Sequence, residues 1–397
     1  MKRILFYYNN FCNSTSKGGT EVATFRIARA LKATGECEIF HAYQRSYGSS
    51  GDAIYSRTIK LPETKNSFIK ELKDFILDNN IDVVVVMGKF FKYDRIEKAI
   101  SESGRPVKLI FMHHFAPGSE KKKTTWKAAS RLLSLNPFNP VYYLRFLFYP
   151  LVKLPRTLVW PKVYRKIYNA SDNVVLLSEG YKEDYCRVGG FSDQSKFRAI
   201  QNIFDPSDNG RNREDISLNT KEKRVLILSR MDEIQKRIST ALKIWSRIEK
   251  NPVLADWHLD IVGDGHNIDI FKRIARRLKL RNVTFHGWQP NKSFLEECSI
   301  LMSTSDYEGL SLAMIEAQAN GCVPIAFNSY ASLPDIITDG FNGVIVESPD
   351  NIEEFSRKLE RLMEEKEDRE RLALNAIKSS DKFSSDKIAE KWLKILT

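Results

Sequence analysis

Short apolar runs that alternate with helix-like segments constrain this sequence more than any other feature. Residues 81–87 (IDVVVVM) and the centre of 224–229 (RVLILS) are almost entirely apolar, which is typical of strands buried on both faces. Strands of this kind belong to parallel sheets that helices cover on both sides. We therefore expect an α/β protein built from doubly wound parallel sheets.

The length of 397 residues is sufficient for two domains, each with its own core. A polar stretch within residues 205–222 is rich in Asn, Asp and Ser and has no apolar period, which indicates a linker. We predict a first domain at residues 1–204, the linker at 205–222 and a second domain at 223–380. The last segment, residues 381–397, has helical apolar spacing around Trp392.

Residues 300–321 (ILMSTSDYEGLSLAMIEAQANG) hold the clearest candidate site. A buried strand is predicted at 300–302, and a helix begins after Tyr307-Glu308-Gly309. A glycine at such a turn leaves the first helical N–H groups open, and they favour an anion such as a diphosphate. Glu308 and Glu316 lie ~12 Å apart at ~1.5 Å per helical residue, which suits one carboxylate for each end of a sugar nucleotide.

Two segments of the predicted first domain also carry candidate residues. The polar loop at residues 9–20 ends in Gly18-Gly19 between a strand and a helix, which predicts a phosphate or substrate cradle. His113 and His114 end the strand at residues 107–114, at the sheet edge where α/β sites form. A structural or exposed histidine pair is the alternative.

Two cations follow the first strand of the second domain. Arg230 comes directly after that strand, and Lys236 opens the next helix. Arg offers a planar fork and Lys a point charge, so the pair suits a diphosphate. A solvated basic start of a helix is the alternative.

The block that begins at Glu308, EGLSLAMIEAQANGCVP, resembles the Glu-x7-Glu signature of retaining GT-B glycosyltransferases of family 4, the group 1 type. The resemblance implies two Rossmann-like domains that face a central cleft, with residues 381–397 crossing back onto the first domain. It implies transfer of a hexose from a nucleotide sugar to an acceptor hydroxyl, with retention at the anomeric carbon. It also implies front-face attack with the leaving phosphate as base.

The family's functional positions map onto this chain residue by residue. The catalytic positions are Glu308, Arg230, Lys236 and His113, and His114 is the alternative to His113. The donor-binding positions are Gly18, Gly19, Gly309, Leu310, Ser311, Glu316, Trp288 and Gln289. Arg237 stands where the family usually has glycine. No Asp-x-Asp metal pair stands out, so we expect no metal requirement and no cofactor beyond the nucleotide-sugar substrate.

The net charge of +12 is concentrated in one place. Residues 121–171 contain eleven Lys or Arg and no Asp or Glu, so the rest of the chain is nearly neutral. Aromatic and basic residues alternate through residues 121–168, here called the basic aromatic segment, and this mixture suits an anionic bilayer surface. Internal packing is an alternative, and nucleic-acid binding is another, although no recognition motif accompanies it.

Five scattered cysteines form neither a disulfide framework nor a metal spacing, which favours a reducing cytoplasm. The first apolar run is too short for a signal peptide. We expect a cytoplasmic protein, peripheral on the inner face of the plasma membrane, that builds surface polysaccharide or lipopolysaccharide on a lipid-linked acceptor. A UDP-linked donor is expected first and a GDP-linked one second. The alternatives are another GT-B enzyme, such as a sugar-nucleotide epimerase or a storage-glucan synthase, and a catalytically silent binding subunit.

Overall fold

The computed structural model describes residues 1–16, 18–46, 53–88, 90, 92–122, 125–205 and 216–396, without the side chains of residues 145 and 149–157. The chain forms two compact units. The first unit comprises Met1–Gly118, Leu158–Ile203 and Phe383–Thr397, and the second comprises Ser119–Thr157 and Phe204–Lys382. Each unit contains one parallel sheet with helices around it, which confirms the predicted fold class.

The first unit is built on a seven-stranded sheet. Its strands are β1 (Lys2–Tyr7), β2 (Cys37–Tyr43), β3 (Arg57–Lys60), β4 (Val83–Met87), β5 (Lys108–His113), β6 (Asn173–Leu176) and β7 (Phe197–Ala199). Its helices are α1 (Gly19–Ala33), α2 (Lys65–Asp78), α3 (Tyr93–Ser103), α8 (Tyr181–Gly189), α17 (Ser385–Leu396) and the C-terminal part of α7 (Tyr149–Ala170). The strand order is β3-β2-β1-β4-β5-β6-β7, and all the pairings are parallel.

The central position of β4 in this sheet explains why its sequence is so uniformly apolar. Val85 is paired with Phe6 of β1 on one side and with Ile110 of β5 on the other. Every residue of β4 is buried, as the unbroken valine run predicts for a central strand covered on both faces.

The second unit is built on a six-stranded sheet. Its strands are β8 (Glu222–Leu228), β9 (His258–Val262), β10 (Val283–Gly287), β11 (Cys298–Ser303), β12 (Val323–Phe327) and β13 (Val344–Val346). Its helices are α4 (Ser119–Lys122), α5 (Trp126–Leu135), α6 (Pro140–Leu147), α9 (Glu233–Lys236), α10 (Ile238–Ile248), α11 (Ile268–Arg277), α12 (Lys292–Glu297), α13 (Leu312–Ala319), α14 (Leu333–Ile336), α15 (Ile352–Glu364) and α16 (Lys366–Ser380). Short 3₁₀ turns lie at Leu218–Thr220, Pro252–Leu254 and Asp381–Phe383.

The strand order of the second sheet, β10-β9-β8-β11-β12-β13, creates a switch point. From β8 the chain first adds strands on one side, and it then returns to place β11 on the other side of β8. The loops after β8 and β11 therefore leave the same sheet edge in opposite directions. In open α/β sheets ligands bind in the crevice that such diverging loops create.

The largest difference between the two units and the predicted domain boundaries concerns Ser119–Thr157. The prediction put all of residues 1–204 in the first domain, whereas α4, α5 and α6 belong to the second unit. The reason is their packing, since Leu135 and Tyr142 lie against the apolar core of the second unit. The greater part of the predicted linker lies outside the described residues.

The C-terminal helix α17 packs on α1 of the first unit. Trp392 is fully buried there, so it is a packing residue. Among the helices that the structure describes, none combines the length and apolar character needed to span a bilayer.

Candidate functional site

The candidate site lies at the switch point of the second sheet, where residues that follow β8 contact residues that follow β11. They line a pocket whose polar residues are Ser229, Lys236, Ser303, Thr304, Ser305, Glu308 and Ser311. Three of these residues were expected from the sequence at a donor site. The topology therefore brings residues from two distant stretches of the chain to one sheet edge.

Glu308 is held in place by two donors at the end of the short helix α9, which follows β8. Lys236 Nζ lies 2.5 Å from Oε1 of Glu308, and Gln235 Nε2 donates to Oε2 over 3.0 Å. The side chains of Lys236 and Glu308 are only 15% and 9% exposed. Because the pair is largely shielded from water, its attraction exceeds that of an exposed ion pair.

Gln235 connects the two loops and was not predicted from the sequence. Its side-chain amide also donates to the carbonyl of Tyr307 over 3.2 Å, and its Oε1 accepts from Arg230 Nη2 over 2.8 Å. Its backbone carbonyl accepts from the amide of Asp306 over 2.7 Å. Arg230 and Glu308, predicted separately, thus meet through one neutral residue, whereas Lys236 contacts Glu308 directly.

Arg237 occupies a left-handed backbone conformation, with φ 53° and ψ 43°. This is a conformation that glycine adopts freely, so the turn keeps the shape that the family's usual glycine would give. The side chain is almost fully buried, and its Nη1 and Nη2 donate to the carbonyl of Pro349 and to Oδ1 of Asp350, each over 2.6 Å. Burial lowers the pKa of this guanidinium, with Arg131 nearby adding to the effect.

Helix α13 presents its N-terminus to the pocket. It begins at Leu312, slightly later than the sequence suggested, with Ser311 at the N-cap. Ser311 makes no capping hydrogen bond with its side chain, so that side chain leaves the first N–H groups open to an anion. Gly309 is half-buried and Leu310 buried in the turn before the helix.

Glu316 lies further along α13. Its Oε2 accepts from Asn291 Nδ2 over 2.7 Å, and the carboxylate is half-buried. Trp288 and Gln289, which follow β10, are exposed. His286 contacts Asp260 over 2.7 Å and packs on Phe294, which indicates a structural role.

Gly263 allows the β9–α11 loop to approach the β8–α9 loop. It has φ +132°, and a Cβ at this position would lie 1.9 Å from the carbonyl oxygen of Ser229. Only glycine fits such a contact, which explains the glycine in the Gly263-Asp264-Gly265 turn.

The remaining predicted residues lie in the first unit. Gly18 is the N-cap of α1 and Gly19 its first residue. A Cβ on Gly18 would meet the carboxylate of Glu21, which accepts from Asn10 Nδ2 over 2.7 Å. Nothing in these contacts assigns the two glycines to a ligand.

His113 lies in an aromatic cluster with Phe90, Tyr164 and Tyr185, at ring distances of 5.3, 5.6 and 5.5 Å. Within the described part of the chain, neither of its ring nitrogens has a hydrogen-bond partner. Burial lowers the pKa of His113 to about 3, so the ring is neutral at physiological pH. His114, beside Gly88, is also buried, and burial likewise lowers its pKa to about 3.

Two units, each with a parallel sheet covered by helices, define a Rossmann-like α/β class of protein, and the pocket with Lys236 and Glu308 lies at the switch point of the second sheet. Residues 208–379 match the family model for glycosyl transferases group 1. The match covers less than half of the chain, and the fold of the chain is GT-B.

Known proteins with similar sequences include two bacterial glycosyltransferases. A poly(glycerol-phosphate) alpha-glucosyltransferase of Bacillus subtilis is 27% identical over 59% of this chain and 33% of its own length. An N-acetylgalactosaminyltransferase of Campylobacter jejuni, which acts on an undecaprenol-linked diphosphate glycan, is 24% identical over 96% of this chain and 95% of its own. In four of the curated relatives the match spans only 33%, 44%, 64% and 63% of the relative.

A solved structure of similar fold is HepE of Anabaena in complex with UDP-glucose. Its TM-score is 0.69 at 16% identity, and the alignment covers 100% of this chain and 99% of HepE. At this identity the likeness supports the fold alone.

Proposed function

We propose that this chain is a retaining glycosyltransferase of family 4, which moves a hexose from a nucleotide sugar to a glycan or lipid-linked glycan. The observation that carries the proposal is the position of Glu308, which is held by Lys236 and Gln235 beside the N-terminus of α13. A carboxylate, two cations and open N–H groups at a switch point suit a sugar and its diphosphate.

The chemical task is to help a diphosphate leave. Lys236, Arg230 and the N-terminus of α13 would stabilise the negative charge that develops on it. Glu308 would bind hydroxyls of the transferred sugar, and Glu316 would bind the ribose. Trp288 and Gln289 would border the base.

We propose that the acceptor attacks the same face that the diphosphate leaves. The new glycosidic bond then forms as the bond to the diphosphate breaks, and the leaving phosphate takes the proton of the acceptor hydroxyl. A covalent glycosyl-enzyme trapped with a slow donor would contradict this mechanism. We also propose that no divalent metal takes part, so EDTA should leave the rate unchanged.

The donor is proposed to be a UDP-sugar, used in the synthesis of bacterial surface polysaccharide or lipopolysaccharide. HepE, which shares the fold, was solved with UDP-glucose. The Campylobacter relative acts on a lipid-linked glycan, and another relative, AmsD of Erwinia amylovora, takes part in amylovoran biosynthesis.

The testing experiment is calorimetric titration with UDP and GDP on the wild type, Glu316→Ala and Glu353→Ala. Glu353 is 86% exposed and serves as the control. We expect UDP to bind the wild type and the control, and to bind Glu316→Ala at least tenfold more weakly. Binding of GDP alone would move the donor to GDP-sugars. If neither nucleotide binds at millimolar concentration, the donor-site proposal is wrong and a silent binding subunit becomes the leading alternative.

We further propose that the basic aromatic segment docks on the cytoplasmic leaflet through α6. Large apolar side chains are exposed on and beside this helix: Phe138 at 93%, Val141 at 65%, Leu144 at 51% and Leu147 at 53%. Apolar side chains in a stretch of sequence without acidic residues suit insertion at an anionic surface.

Sedimentation with vesicles tests this docking. The double variant Phe138→Ser/Leu144→Ser should lose binding to vesicles that contain phosphatidylglycerol. Val253→Ser is the control, because Val253 is 73% exposed on another surface segment of the same unit. Equal binding by both variants would assign α6 to another role.

A further inference from the structure

The α4–α6 segment contacts the candidate site from an unexpected part of the chain. It lies between β5 and β6 in sequence, yet it packs in the second unit. Arg131 of α5 donates from Nη1 and Nη2 to Oδ1 of Asp306, over 3.3 and 3.2 Å. Asp306 lies two residues before Glu308, in the loop that presents Glu308 to the pocket.

The backbone of Asp306 also bonds to residues outside that loop. Its amide donates to the carbonyl of Gln235, and its carbonyl accepts from Lys122 Nζ over 3.3 Å. Lys122 Nζ also lies 5.3 Å from the ring centre of Tyr307. The segment therefore contacts both the side chain and the backbone of the residues that lead to Glu308.

The contact between Arg131 and Asp306 is more buried than the neighbouring contact of Lys127. The Arg131 and Asp306 side chains are 17% and 23% exposed. Lys127, one turn earlier on α5, pairs with Asp350 over 2.9 Å, but these side chains are 59% and 60% exposed. Exposed pairs contribute little to stability, whereas a partly buried guanidinium pair fixes both groups.

Arg237 completes a four-residue charge cluster with Arg131, Asp306 and Asp350. It donates to Asp350, and its Nη1 lies 4.0 Å from Oδ1 of Asp306. Arg237 directly follows Lys236, the partner of Glu308. The cluster thus connects α5 both to the loop that carries Glu308 and to the end of α9, which carries Lys236.

We propose that Arg131 is a positioning residue of the donor site and acts through Asp306 on the loop that presents Glu308. This inference rests on the proposed function and deepens it. Arg131 does not touch the donor; it holds Asp306, and so fixes where Glu308 and the N-terminus of α13 stand before the nucleotide binds. Preorganisation of this kind affects donor affinity more than the stability of the whole unit.

The test uses the full chain with Arg131→Met, Arg131→Lys, Asp306→Asn, the double variant Arg131→Met/Asp306→Asn and Lys127→Met as control. We expect Arg131→Met to weaken UDP binding and raise the donor KM about tenfold, with less than a twofold change in kcat. Arg131→Lys should recover part of this loss, and Lys127→Met should change each value less than twofold. In the Asp306→Asn background, Arg131→Met should add less than a further twofold.

A second measurement separates this inference from the proposed function. Hydrogen exchange at the amides of residues 304–312 should be faster in Arg131→Met than in Lys127→Met, without any nucleotide. If the wild type binds neither UDP nor GDP but this difference is present, the positioning role holds and the proposed function fails. Equal exchange in the two variants would overturn the inference. It would also be overturned if the loss of UDP affinity in the double variant equalled the product of the losses in Arg131→Met and Asp306→Asn.

Discussion

The side-chain amide of Gln235 donates to Glu308 over 3.0 Å, while its carbonyl oxygen accepts from Arg230 over 2.8 Å. A neutral residue thus bridges a cation and a carboxylate of the candidate site. It lies in the short helix α9, and its backbone carbonyl also accepts from the amide of Asp306. Gln235 therefore holds Glu308 from α9, beside Lys236.

The first prediction concerns this bridge. Gln235→Leu keeps the approximate size but removes the bonds to Glu308, Tyr307 and Arg230. A hydrogen bond to a charged group contributes about 1.5–3 kcal/mol, so kcat/KM for the donor should fall roughly tenfold to a hundredfold. Gln194→Leu is the control, because Gln194 is exposed in the first unit. Equal values of kcat/KM for the two variants would show that Gln235 does not belong to the site.

The second prediction concerns the buried histidines. Both ring nitrogens of His113 are buried without hydrogen bonds in the described structure, so His113→Phe should be neutral or stabilising at pH 7. His41 is equally buried, but its Nε2 accepts from the amide of Cys12 over 3.1 Å. His41→Phe should therefore cost about 1–3 kcal/mol, since it leaves that amide unpaired. Urea unfolding at pH 7 measures both.

The pH dependence of stability follows from the same burial. The pKa of His113 in the folded chain, about 3, lies below its ordinary value of about 6.5. Between these values the unfolded chain binds a proton that the folded chain does not, so stability falls as the pH falls. His113→Phe should reduce this loss by ~1.4 kcal/mol per pH unit between pH 6 and pH 4. An unchanged slope would mean that the ring is protonated in the folded state.

The two parallel sheets could be predicted from the sequence, and so could Lys236 and Glu308 as residues near one sheet edge, because those signals are local. The valine run of β4 and the glycine turn before α13 each reveal their environment within a few residues. The placement of α5 could not be predicted in this way, because Arg131 and Asp306 are 175 residues apart. The basic residues of this segment indicated an anionic partner. For Arg131, that partner is the carboxylate of Asp306 in the same chain.

Two finer features also escaped prediction for physical reasons. Gln235 carries no charge and belongs to no recognised spacing, so nothing in the sequence singles it out. His113 ends a strand that is buried on both faces, where no polar alternation shows which side a residue takes. Its aromatic neighbours Tyr164 and Tyr185 come from α7 and α8, and only the fold brings them together.

The third prediction separates backbone strain from side-chain bonding at Arg237. Arg237→Ala and Arg237→Gly both lose the bonds to Pro349 and Asp350, but only glycine relaxes the φ of 53°. The glycine variant should therefore be more stable than the alanine variant by about 1 kcal/mol, although less stable than the wild type. Denaturant unfolding of the three proteins gives the order. If alanine were as stable as glycine, the left-handed turn would not exist in solution.

The fourth prediction tests the close approach of two loops at Gly263. A Cβ there would lie 1.9 Å from the Ser229 oxygen, so Gly263→Ala must push the β8–α9 loop away from β9. Gly340→Ala is the matched control, because Gly340 also has a positive φ, +70°, but a Cβ there meets nothing within 4 Å. The control should cost about 1–2 kcal/mol for its backbone conformation alone. Gly263→Ala should cost several times more, and it should also weaken UDP binding, since Arg230 lies on the displaced loop and Lys236 on the helix that directly follows it. Similar losses of stability in the two variants, measured by thermal unfolding, would show that the loops are not in contact.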